Sequence, residues 1–427
     1  MAKSTKTSRE APQPLISLRN AGKIDPSSID DYLSAGGFES LGKALTMEPK
    51  SVFQEVIDSG LQGRGGAGFP TGLKEKFTWE SLCEACGPKY VVCNADEGEP
   101  GTFKDRAIME RDPHLFLEGM IISGYAIGAE KGYIYIRGEY TQSIRRIRRA
   151  LENVRKKGYI GNNILDSGYS LDLEIRIGAG SYLCGEELTL LESLEGKRGY
   201  PRYKPPFPAE HGLFGAPTLI NNVETFAQVP YVVSNGADSY KSFGTEGSPG
   251  TKIFSVSGDV RNPGNIETEM GTTIRHLIDL SGGIAEDKNF YAALLGGAAG
   301  TFVDSSMLDA PLGFEELKET GAIIGSGAVI VLSEGRSIAD MLMSIFEFFR
   351  HESCGKCIPC RVGTGYLVEV MEKLQDTTEI GSPERRELYG ELMRESVYMD
   401  KSSLCPLGKS PVLAVKSALR FFGDANI

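Results

Sequence analysis

The stretch KYVVC at residues 89–93, which runs directly into NADEGEPGTFKDR at residues 94–106, decides the fold of this chain. A short apolar run that ends in turn-forming residues is typical of a buried strand. Beyond it, helix and strand patterns alternate: a helix at 114–128, a strand at 132–137, a basic helix at 141–157 and a strand at 171–177. This alternation predicts an α/β layer with a mainly parallel sheet.

The regions on either side have different patterns. Residues 1 to about 25 predict a flexible arm, and apolar residues at helical spacing follow at 27–59. Many Pro and Gly residues at 198–217 predict an extended backbone. A small α+β domain is predicted after it, from strand patterns at 252–258, 291–295 and 328–332 and a helix pattern at 273–280. Residues 338–422 predict helices interrupted by cysteine-bearing loops.

Composition excludes several classes of protein. The 427 residues are 41% hydrophobic and 24% charged, as in an ordinary globular chain with buried cores. Because the formal net charge is −11, nucleic acid is not expected as a partner. The sequence lacks a run of about 18 apolar residues that would predict a membrane span, and its polar start does not predict a secretory signal. Eight cysteines, clustered toward the C-terminus, favour a metal site over a disulfide scaffold.

A glycine loop, Gly63 to Gly68, matches the G-x-G-x-x-G pattern of dinucleotide-binding folds. The pattern indicates that fold only where it follows a strand, and here a helical pattern precedes it. Adjacent glycines still let bare backbone N–H groups approach an anion closely, and Arg64 and Lys74 would add positive charge. A phosphate cradle and a flexible surface loop both fit these residues.

Two further turns follow predicted strands. The first carries Asn94 and the carboxylates Asp96, Glu97 and Glu99, and the second is GAGSYLCGEE at 178–187. Polar groups at the carboxyl ends of strands are well placed to bind ring edges and ribose hydroxyls. Ordinary turn chemistry explains the same residues, and the three carboxylates of the first turn would also suit a divalent cation.

Cysteines near the C-terminus have the spacing of an iron–sulfur site. Cys354, Cys357 and Cys360 form C-x-x-C-x-x-C, and Cys405 follows at a distance. Three close thiolates with one remote thiolate favour a 4Fe–4S cluster, with zinc and free thiols as the alternatives. The other four cysteines are not predicted as ligands: Cys83 and Cys86 in a loop with free thiols, Cys93 in a strand core, and Cys184 in the second turn.

Seven stretches, taken in order, carry a resemblance to a known family: GRGGAGFPTGLK (63–74), NADEGEPGTFKDR (94–106), GAGSYLCGEE (178–187), RYKPPFP (202–208), INNVET (220–225), HESCGKCIPC (351–360) and SLCPLG (403–408). From about residue 28 to about residue 422 the chain closely resembles the NADH-binding flavoprotein subunit of respiratory complex I. Related chains serve NAD-linked hydrogenases and formate dehydrogenases.

The resemblance implies a multidomain α/β fold. Its parts are an N-terminal arm with helices at 1–60, an FMN- and NADH-binding α/β domain with an atypical Rossmann-like sheet at 61–245, a ubiquitin-like (β-grasp, SLBB-type) α+β domain at 250–334, and a helical bundle with a 4Fe–4S cluster at 336–427. The positions that match the family's FMN contacts are Gly63, Arg64, Gly65, Gly66, Lys74, Asn94, Asp96, Gly185, Glu186, Asn221 and Asn222. Those that match its NADH site are Phe69, Phe77, Glu99, Tyr182, Glu187, Lys204 and Phe207, and the cluster ligands match Cys354, Cys357, Cys360 and Cys405.

The implied activity is hydride transfer from NADH to FMN, followed by single-electron transfer to the cluster and to partner subunits. The cofactor carries this chemistry, so no side chain is expected as a catalyst. The expected partners are a thioredoxin-like 2Fe–2S subunit and a larger iron–sulfur subunit, because modules of these kinds are not expected within this chain. The expected location is the cytoplasm, or the cytoplasmic face of the inner membrane as part of a complex.

Two alternatives remain for the function. The first is a diaphorase subunit of a soluble or electron-bifurcating hydrogenase or of a formate dehydrogenase. Gly98 and Leu188 stand where complex I members usually have Ser and Thr, which leaves the host complex open. The second, from another class, is a zinc-stabilised scaffold with degenerate nucleotide motifs.

Overall fold

The computed structural model describes residues 15–81, 87–377 and 382–423, which form an α/β unit, a mixed-sheet unit and a group of helices in chain order. The α/β unit contains the following elements: α1 (Ile29–Ser34), α2 (Glu39–Leu45), α3 (Pro49–Asp58), α4 (Thr71–Glu80), β1 (Lys89–Ala95), α5 (Lys104–Arg111), α6 (Pro113–Ile127), β2 (Ala129–Arg137), α7 (Thr141–Lys156), β3 (Asp172–Gly178), α8 (Glu187–Leu194), α9 (Pro208–His211), β4 (Thr218–Asn222), α10 (Val223–Asn235) and α11 (Ala237–Lys241).

The sheet of the α/β unit has the strand order β3-β2-β1-β4, and each neighbouring pair is parallel. The predicted parallel layer is therefore confirmed. The sequence pattern does not predict β4, because its five residues, TLINN, include two asparagines and only two strongly apolar side chains.

Helix α6 is the central helix of this unit, with every residue buried except Tyr125. It lies so close to α10 that a Cβ on Gly119 would be 1.8 Å from the carbonyl oxygen of Phe226. The buried Glu118 carboxylate accepts hydrogen bonds from the Tyr32 hydroxyl and from the N–H groups of Phe38 and Leu41. Helix α6 thereby fixes the N-terminal helices against the sheet.

The predicted flexible arm is wrong for residues 16–18. Ile16, Ser17 and Leu18 are buried, and their N–H groups donate to the carboxylate of Glu267 at 3.0, 2.8 and 2.7 Å. Three charge-assisted bonds to one buried carboxylate hold this segment against the second unit. Residues 1–14 lie outside the described residues.

The second unit is a mixed sheet with one helix. Its elements are β5 (Thr251–Gly258), β6 (Gly264–Glu269), α12 (Ile274–Leu280), β7 (Phe290–Leu295), β8 (Thr301–Val303) and β9 (Ala328–Ser333). The strand order is β6-β5-β9-β7-β8, with β5 and β9 parallel and the other neighbours antiparallel. The predicted α+β composition of this region is confirmed.

The third unit is helical, as the sequence predicts. It contains α13 (Ile338–Glu352), α14 (Ile358–Asp376), α15 (Pro383–Ser402), α16 (Pro406–Lys409) and α17 (Pro411–Phe422). Its core is continuous with one face of the second unit's sheet, since Phe302 of β8 and Phe346 of α13 belong to the same apolar cluster. Among the described residues, the helices fall short of the length and apolar character that crossing a membrane requires.

Candidate functional site

The strand order of the α/β sheet changes direction beside β1. The chain proceeds from β1 to β2 and β3 on one side, and β4 joins on the other side. The carboxyl ends of β1 and β4 therefore flank a topological switch point, where open α/β sheets bind their ligands. Asn94 of β1 is paired with Asn222 of β4, so the predicted polar residues of the two strands lie side by side.

Asn221 and Asn222 have different environments at this point. The Nδ2 atom of Asn221 is buried and lacks a hydrogen-bond partner within the described residues. The Asn222 amide is occupied, because it donates to Asp105 at 2.6 Å and accepts from Lys104 and from the Glu224 N–H at the start of α10. A buried donor without a partner is costly unless a ligand or water accepts its hydrogen bond. Asn221 is therefore suited to donate to a bound polar ring, whereas Asn222 is suited to hold the residues around the site.

Asn94 and Asp96 also differ in whether their side chains are already hydrogen-bonded within the protein. The Asn94 side chain donates to the carbonyl of Gly185 at 2.7 Å and thereby joins the two turns. The Asp96 carboxylate accepts no hydrogen bond from the described residues, and burial raises its pKa to about 7. Gly185 lies against this acidic turn, since a Cβ there would be 3.1 Å from the Asp96 carbonyl oxygen. Asp96 is thus the carboxylate of this turn that is open to a ligand's hydroxyl groups.

The Arg64 side chain does not supply the free positive charge that the sequence suggests. It is fully buried, and its guanidinium donates to the carbonyls of Gln62, Pro249 and Thr251 and to the Tyr240 hydroxyl. Four of its five N–H donors are therefore used inside the protein. This part of the prediction is wrong, because three of the four acceptors, Tyr240, Pro249 and Thr251, lie far away in sequence.

The glycines of the loop also meet neighbouring protein. A Cβ on Gly68, whose φ is +65°, would be 2.7 Å from the Phe314 ring, and one on Gly65 would be 3.1 Å from Cβ of Asn222. Gly66 has a φ of +141°, and a Cβ there would make only ordinary contacts at 3.7 Å with residues 325–326. A Cβ on Gly63 would be 3.4 Å from the nearest atom. Packing therefore explains Gly68, whereas Gly63 has no comparable need within the protein.

Four predicted charged residues form one cluster beside the loop, and they are Lys74, Glu186, Glu187 and Lys204. Lys204 Nζ lies 2.7 Å from Glu187 Oε1 and 3.2 Å from Glu186 Oε1, and Lys74 Nζ lies 4.0 Å from Glu187 Oε2. Burial tends to raise the pKa of Glu187, but Lys74 and Lys204 outweigh it and the net shift is downward. Glu186 also caps α8 by accepting from the N–H groups of Leu188 and Thr189.

Glu99 and Tyr182 are in direct contact. The Tyr182 hydroxyl donates to Glu99 Oε2 at 2.7 Å, and Glu99 Oε1 accepts from the Ala299 N–H at 3.0 Å. Burial raises the pKa of Glu99. Glu97 points elsewhere, to the N–H groups of Asp105 and Arg106. The three carboxylates of the first turn therefore do not converge on a common point, and the divalent-cation alternative finds no support here.

The predicted NADH-site aromatics Phe69, Phe77 and Phe207 are roughly half exposed, at 43, 47 and 52%. Phe77 lies on α4 and Phe207 precedes α9, and these two helices are in contact. Large apolar rings left exposed beside a charged cluster are suited to stacking on a planar ligand.

All four predicted cluster cysteines, Cys354, Cys357, Cys360 and Cys405, line one cavity, together with Leu183 and Pro201. The six described cysteines are free thiols. Burial raises the pKa of Cys360 to about 11 and that of Cys405 to about 12, so iron binding would have to displace protons.

The placement of these thiols bears on the zinc alternative. Zinc requires four ligands at about 2.3 Å from one ion. Within the described residues, no three His, Cys, Asp or Glu side chains converge in that way. Thiols spread around a cavity fit a larger, multi-iron group better. Of the remaining cysteines, Cys93 and Cys184 are buried as expected, and Cys83 and Cys86 lie outside the described residues.

A buried group of charges behind the site was missed by the sequence reasoning. Lys104 lies 2.8 Å from Asp105 and 2.9 Å from Glu224, and Lys252 donates to the Arg64 carbonyl at 3.1 Å. Burial, with help from nearby cations, lowers the pKa of Lys252 to about 7. Lys104 lies in the stretch 94–106 and Glu224 lies in the stretch 220–225. Their positions within these two family motifs are the sequence signal from which this buried group could have been predicted.

Comparisons with known proteins agree with this geometry. The family model described as the Nuo51 FMN-binding domain matches residues 56–231, the iron–sulfur binding region of NADH-ubiquinone oxidoreductase-F matches 340–426, and the SLBB domain matches 253–298. The NADH-quinone oxidoreductase F subunit of Aquifex aeolicus is 49% identical, over 84% of this chain and 82% of its own. The F 2 subunit of the same enzyme in Rhizobium meliloti is 43% identical over 95% of both chains.

The chain belongs to the family of NADH-quinone oxidoreductase F subunits. The same family resemblance extends to the NADP-reducing hydrogenase subunit HndC of Solidesulfovibrio fructosivorans, which is 43% identical over 98% of this chain and 84% of its own. A NAD+-reducing NiFe hydrogenase, solved in the H2-reduced state, has a chain that superimposes with a TM-score of 0.80 at 37% identity.

That structural match covers 88% of this chain and 62% of the hydrogenase chain, so this chain spans less than two thirds of the solved one. The mixed α/β fold and the predicted cofactors FMN and a 4Fe–4S cluster are confirmed by these matches. The fit of the residues is consistent with them, through the orphaned Asn221 donor, the open Asp96 carboxylate and the four thiols around one cavity.

Proposed function

We propose that this chain is the NADH-oxidising flavoprotein subunit of an electron-transfer complex. The observation that carries the proposal is the wall of the cysteine cavity, which includes Leu183 and Pro201. Leu183 belongs to the turn at 178–187 and Pro201 adjoins the segment 202–208. The candidate nucleotide site and the candidate cluster site are therefore contiguous, as a donor and an acceptor of electrons must be.

The bound cofactors would supply the redox chemistry, with FMN accepting a hydride from NADH and the 4Fe–4S cluster taking electrons singly. The chain supplies binding and orientation. Asn221 offers its unpaired amide donor to the flavin, and Asp96 offers its carboxylate to ribityl hydroxyls. Backbone N–H groups at 65–68 and in the first turn of α4 suit the phosphate, since those of Gly63 and Arg64 already donate to the Phe69 carbonyl and the Thr225 hydroxyl. Asn94, Asn222 and Arg64 hold the surrounding structure.

The remaining residues suit NADH. Phe69, Phe77 and Phe207 are exposed rings available for stacking on adenine, and Glu99 and Tyr182 form a hydrogen-bonded polar pair. The proposed domains are 1–60 for the N-terminal helices, 61–245 for FMN and NADH, 250–334 as a ubiquitin-like unit and 336–427 for the cluster. The SLBB match at 253–298 supports the third of these assignments.

The host complex has two candidates. The first is complex I, with a thioredoxin-like 2Fe–2S subunit and a larger iron–sulfur subunit as partners at the cytoplasmic face of the membrane, and relatives named as NADH-quinone oxidoreductase F subunits support it. The second is a hydrogenase in which this chain is the diaphorase of a cytoplasmic complex, and the relative named as a NADP-reducing hydrogenase subunit supports that. Identification of the subunits that copurify with the chain separates the two.

The function is tested on the full chain, reconstituted anaerobically with FMN, iron and sulfide and titrated with NADH. We expect NADH to bleach flavin absorbance and then to reduce the cluster. Asn221→Ala should weaken FMN binding roughly 5- to 15-fold, the value of one hydrogen bond to a buried donor. The matched control is Asn162→Ala, at an exposed asparagine. A chain that retains neither chromophore, or whose flavin NADH does not reduce, would refute the proposal.

A further inference from the structure

The segment that carries three of the four cysteines also contacts the candidate nucleotide site. At the end of α13, Glu352 accepts a hydrogen bond from the Tyr182 N–H through Oε2 at 3.0 Å. One turn earlier, the Phe348 ring meets the Tyr182 ring edge to face, with centroids 5.0 Å apart. Tyr182 is therefore fixed on one side by α13 and on the other by Glu99.

A second contact starts inside the cysteine motif itself. Lys356 lies between Cys354 and Cys357, and its Nζ donates to the carbonyl of Pro201 at 2.7 Å. The same ammonium lies 5.7 Å from the Tyr200 ring and 5.8 Å from the Tyr203 ring. Three interactions from one cation hold the backbone just before Lys204 and Phe207.

Iron ligation does not require either contact. A cysteine set needs only its thiolates and a loop that places them, so a carboxylate aimed at Tyr182 and an ammonium aimed at Pro201 serve something else. Both reach segments that the proposed function assigns to NADH. Each contact joins the third unit to a part of the α/β unit more than 150 residues away in sequence.

We propose that Glu352 and Lys356 are positioning residues for the nucleotide, which hold Tyr182 and the segment 200–207 in the geometry that binds NADH. The proposal rests on the proposed function. Folding of the cysteine segment around its cluster orders both contacts, so a chain with a formed cluster binds nucleotide more tightly than a chain without one. The coupling acts on binding and leaves hydride transfer from bound NADH unchanged.

The test uses the reconstituted full chain with Glu352→Gln, Lys356→Met and Lys356→Arg. The dissociation constant of NAD+, which does not reduce the flavin, is measured by its effect on flavin fluorescence, alongside iron content and amide hydrogen exchange at 199–207. We expect Glu352→Gln and Lys356→Met to weaken binding roughly 5- to 30-fold, and Lys356→Met also to speed exchange at 199–207. The Arg variant, which keeps the charge and donors, should stay within about threefold of wild type.

The matched control is Lys409→Met, an exposed lysine of α16 four residues after Cys405. Unchanged nucleotide affinity in Glu352→Gln and Lys356→Met, with iron retained, overturns the inference. If either variant loses iron, the test passes to Cys405→Ala, which lacks the cluster but keeps both side chains. Weaker nucleotide binding in Cys405→Ala than in wild type supports the inference, and wild-type affinity overturns it. A wild-type chain without nucleotide binding would instead refute the proposed function.

Discussion

The glycine loop and the cysteine segment at 354–360 are both predicted from residue spacing, but the structure uses them differently. The cysteines have free thiols that line one cavity with Cys405. In the loop, the Arg64 guanidinium donates its hydrogen bonds to acceptors inside the protein, and the Phe314 ring leaves no room for a side chain at Gly68. Four free thiols around one cavity have few structural explanations, whereas glycine and arginine have many. Spacing is thus a stronger guide to function for cysteine than for glycine or arginine.

Loss of a cluster ligand should produce the strongest change. Cys405→Ala removes one of four iron ligands and should lower iron from about four atoms per chain to near zero. FMN content should persist, because its candidate residues lie in another unit. The measurement is iron analysis with visible absorption, and the control is Cys184→Ala, whose thiol does not line the cavity. Full iron occupancy in Cys405→Ala would contradict the assignment of Cys405 as a cluster ligand, and with it the difference drawn between the cysteines and the glycine loop.

The next effect separates a structural arginine from a phosphate ligand. Arg64→Lys keeps the charge but cannot reach four acceptors with one ammonium group, so it leaves buried carbonyls unsatisfied. We expect the free energy of unfolding of the apoprotein to fall by about 2–4 kcal/mol, measured by urea denaturation. Arg149→Lys, at an exposed position, is the control. If stability is unchanged while FMN affinity collapses, Arg64 is a ligand-binding residue and our assignment of its side chain is wrong.

Two alanine substitutions within the loop distinguish a glycine required by packing from a glycine required by a ligand. Gly68→Ala places a Cβ 2.7 Å from Phe314 at a φ of +65°, and should cost about 1–3 kcal/mol of stability without any ligand. Gly63→Ala has room within the protein and should cost less than about 0.5 kcal/mol, yet weaken FMN about 10-fold if bare backbone faces the phosphate. Equal FMN affinity in Gly63→Ala and wild type would mean that packing alone explains this loop.

The smallest effect concerns the charged cluster at the edge of the loop. Glu187 is the carboxylate between Lys204 and Lys74, so Glu187→Gln leaves two cations less compensated and should favour the extra phosphate of NADPH. We expect the ratio of kcat/KM for NADPH over NADH to rise about 3- to 30-fold. Adding Lys204→Gln should reverse much of the change. A ratio that stays constant in both variants would place Glu187 away from the adenosine ribose.

Much of the fold follows from local patterns in the sequence. Strands β1, β2 and β3 are apolar runs between clear helix patterns, and they are predicted with nearly the bounds observed. Strand β4 is missed because five residues with two asparagines carry little periodic signal. The ordering of residues 16–18 is missed because its cause, Glu267, lies about 250 residues away.

In the candidate site, too, residues with a local sequence signal could be predicted and residues positioned by distant contacts could not. The cysteine set could be predicted because its residue types and spacing are sufficient. The direction of the Arg64 side chain could not be predicted, because it depends on the carbonyls of Pro249 and Thr251, which only the folded chain brings close to Arg64. The contacts of Glu352 and Lys356 likewise join units that are distant in sequence.

The attachment of residues 16–18 to Glu267 has a consequence for biosynthesis. At about 5–20 residues per second, these residues leave the ribosome roughly 12–50 s before their carboxylate partner is made. During that interval their apolar side chains and three N–H groups lack the surface that later covers them. Packing of residues 16–18 can therefore be completed only after the second unit has emerged, and Glu267→Gln should slow the appearance of protease-resistant chains during translation.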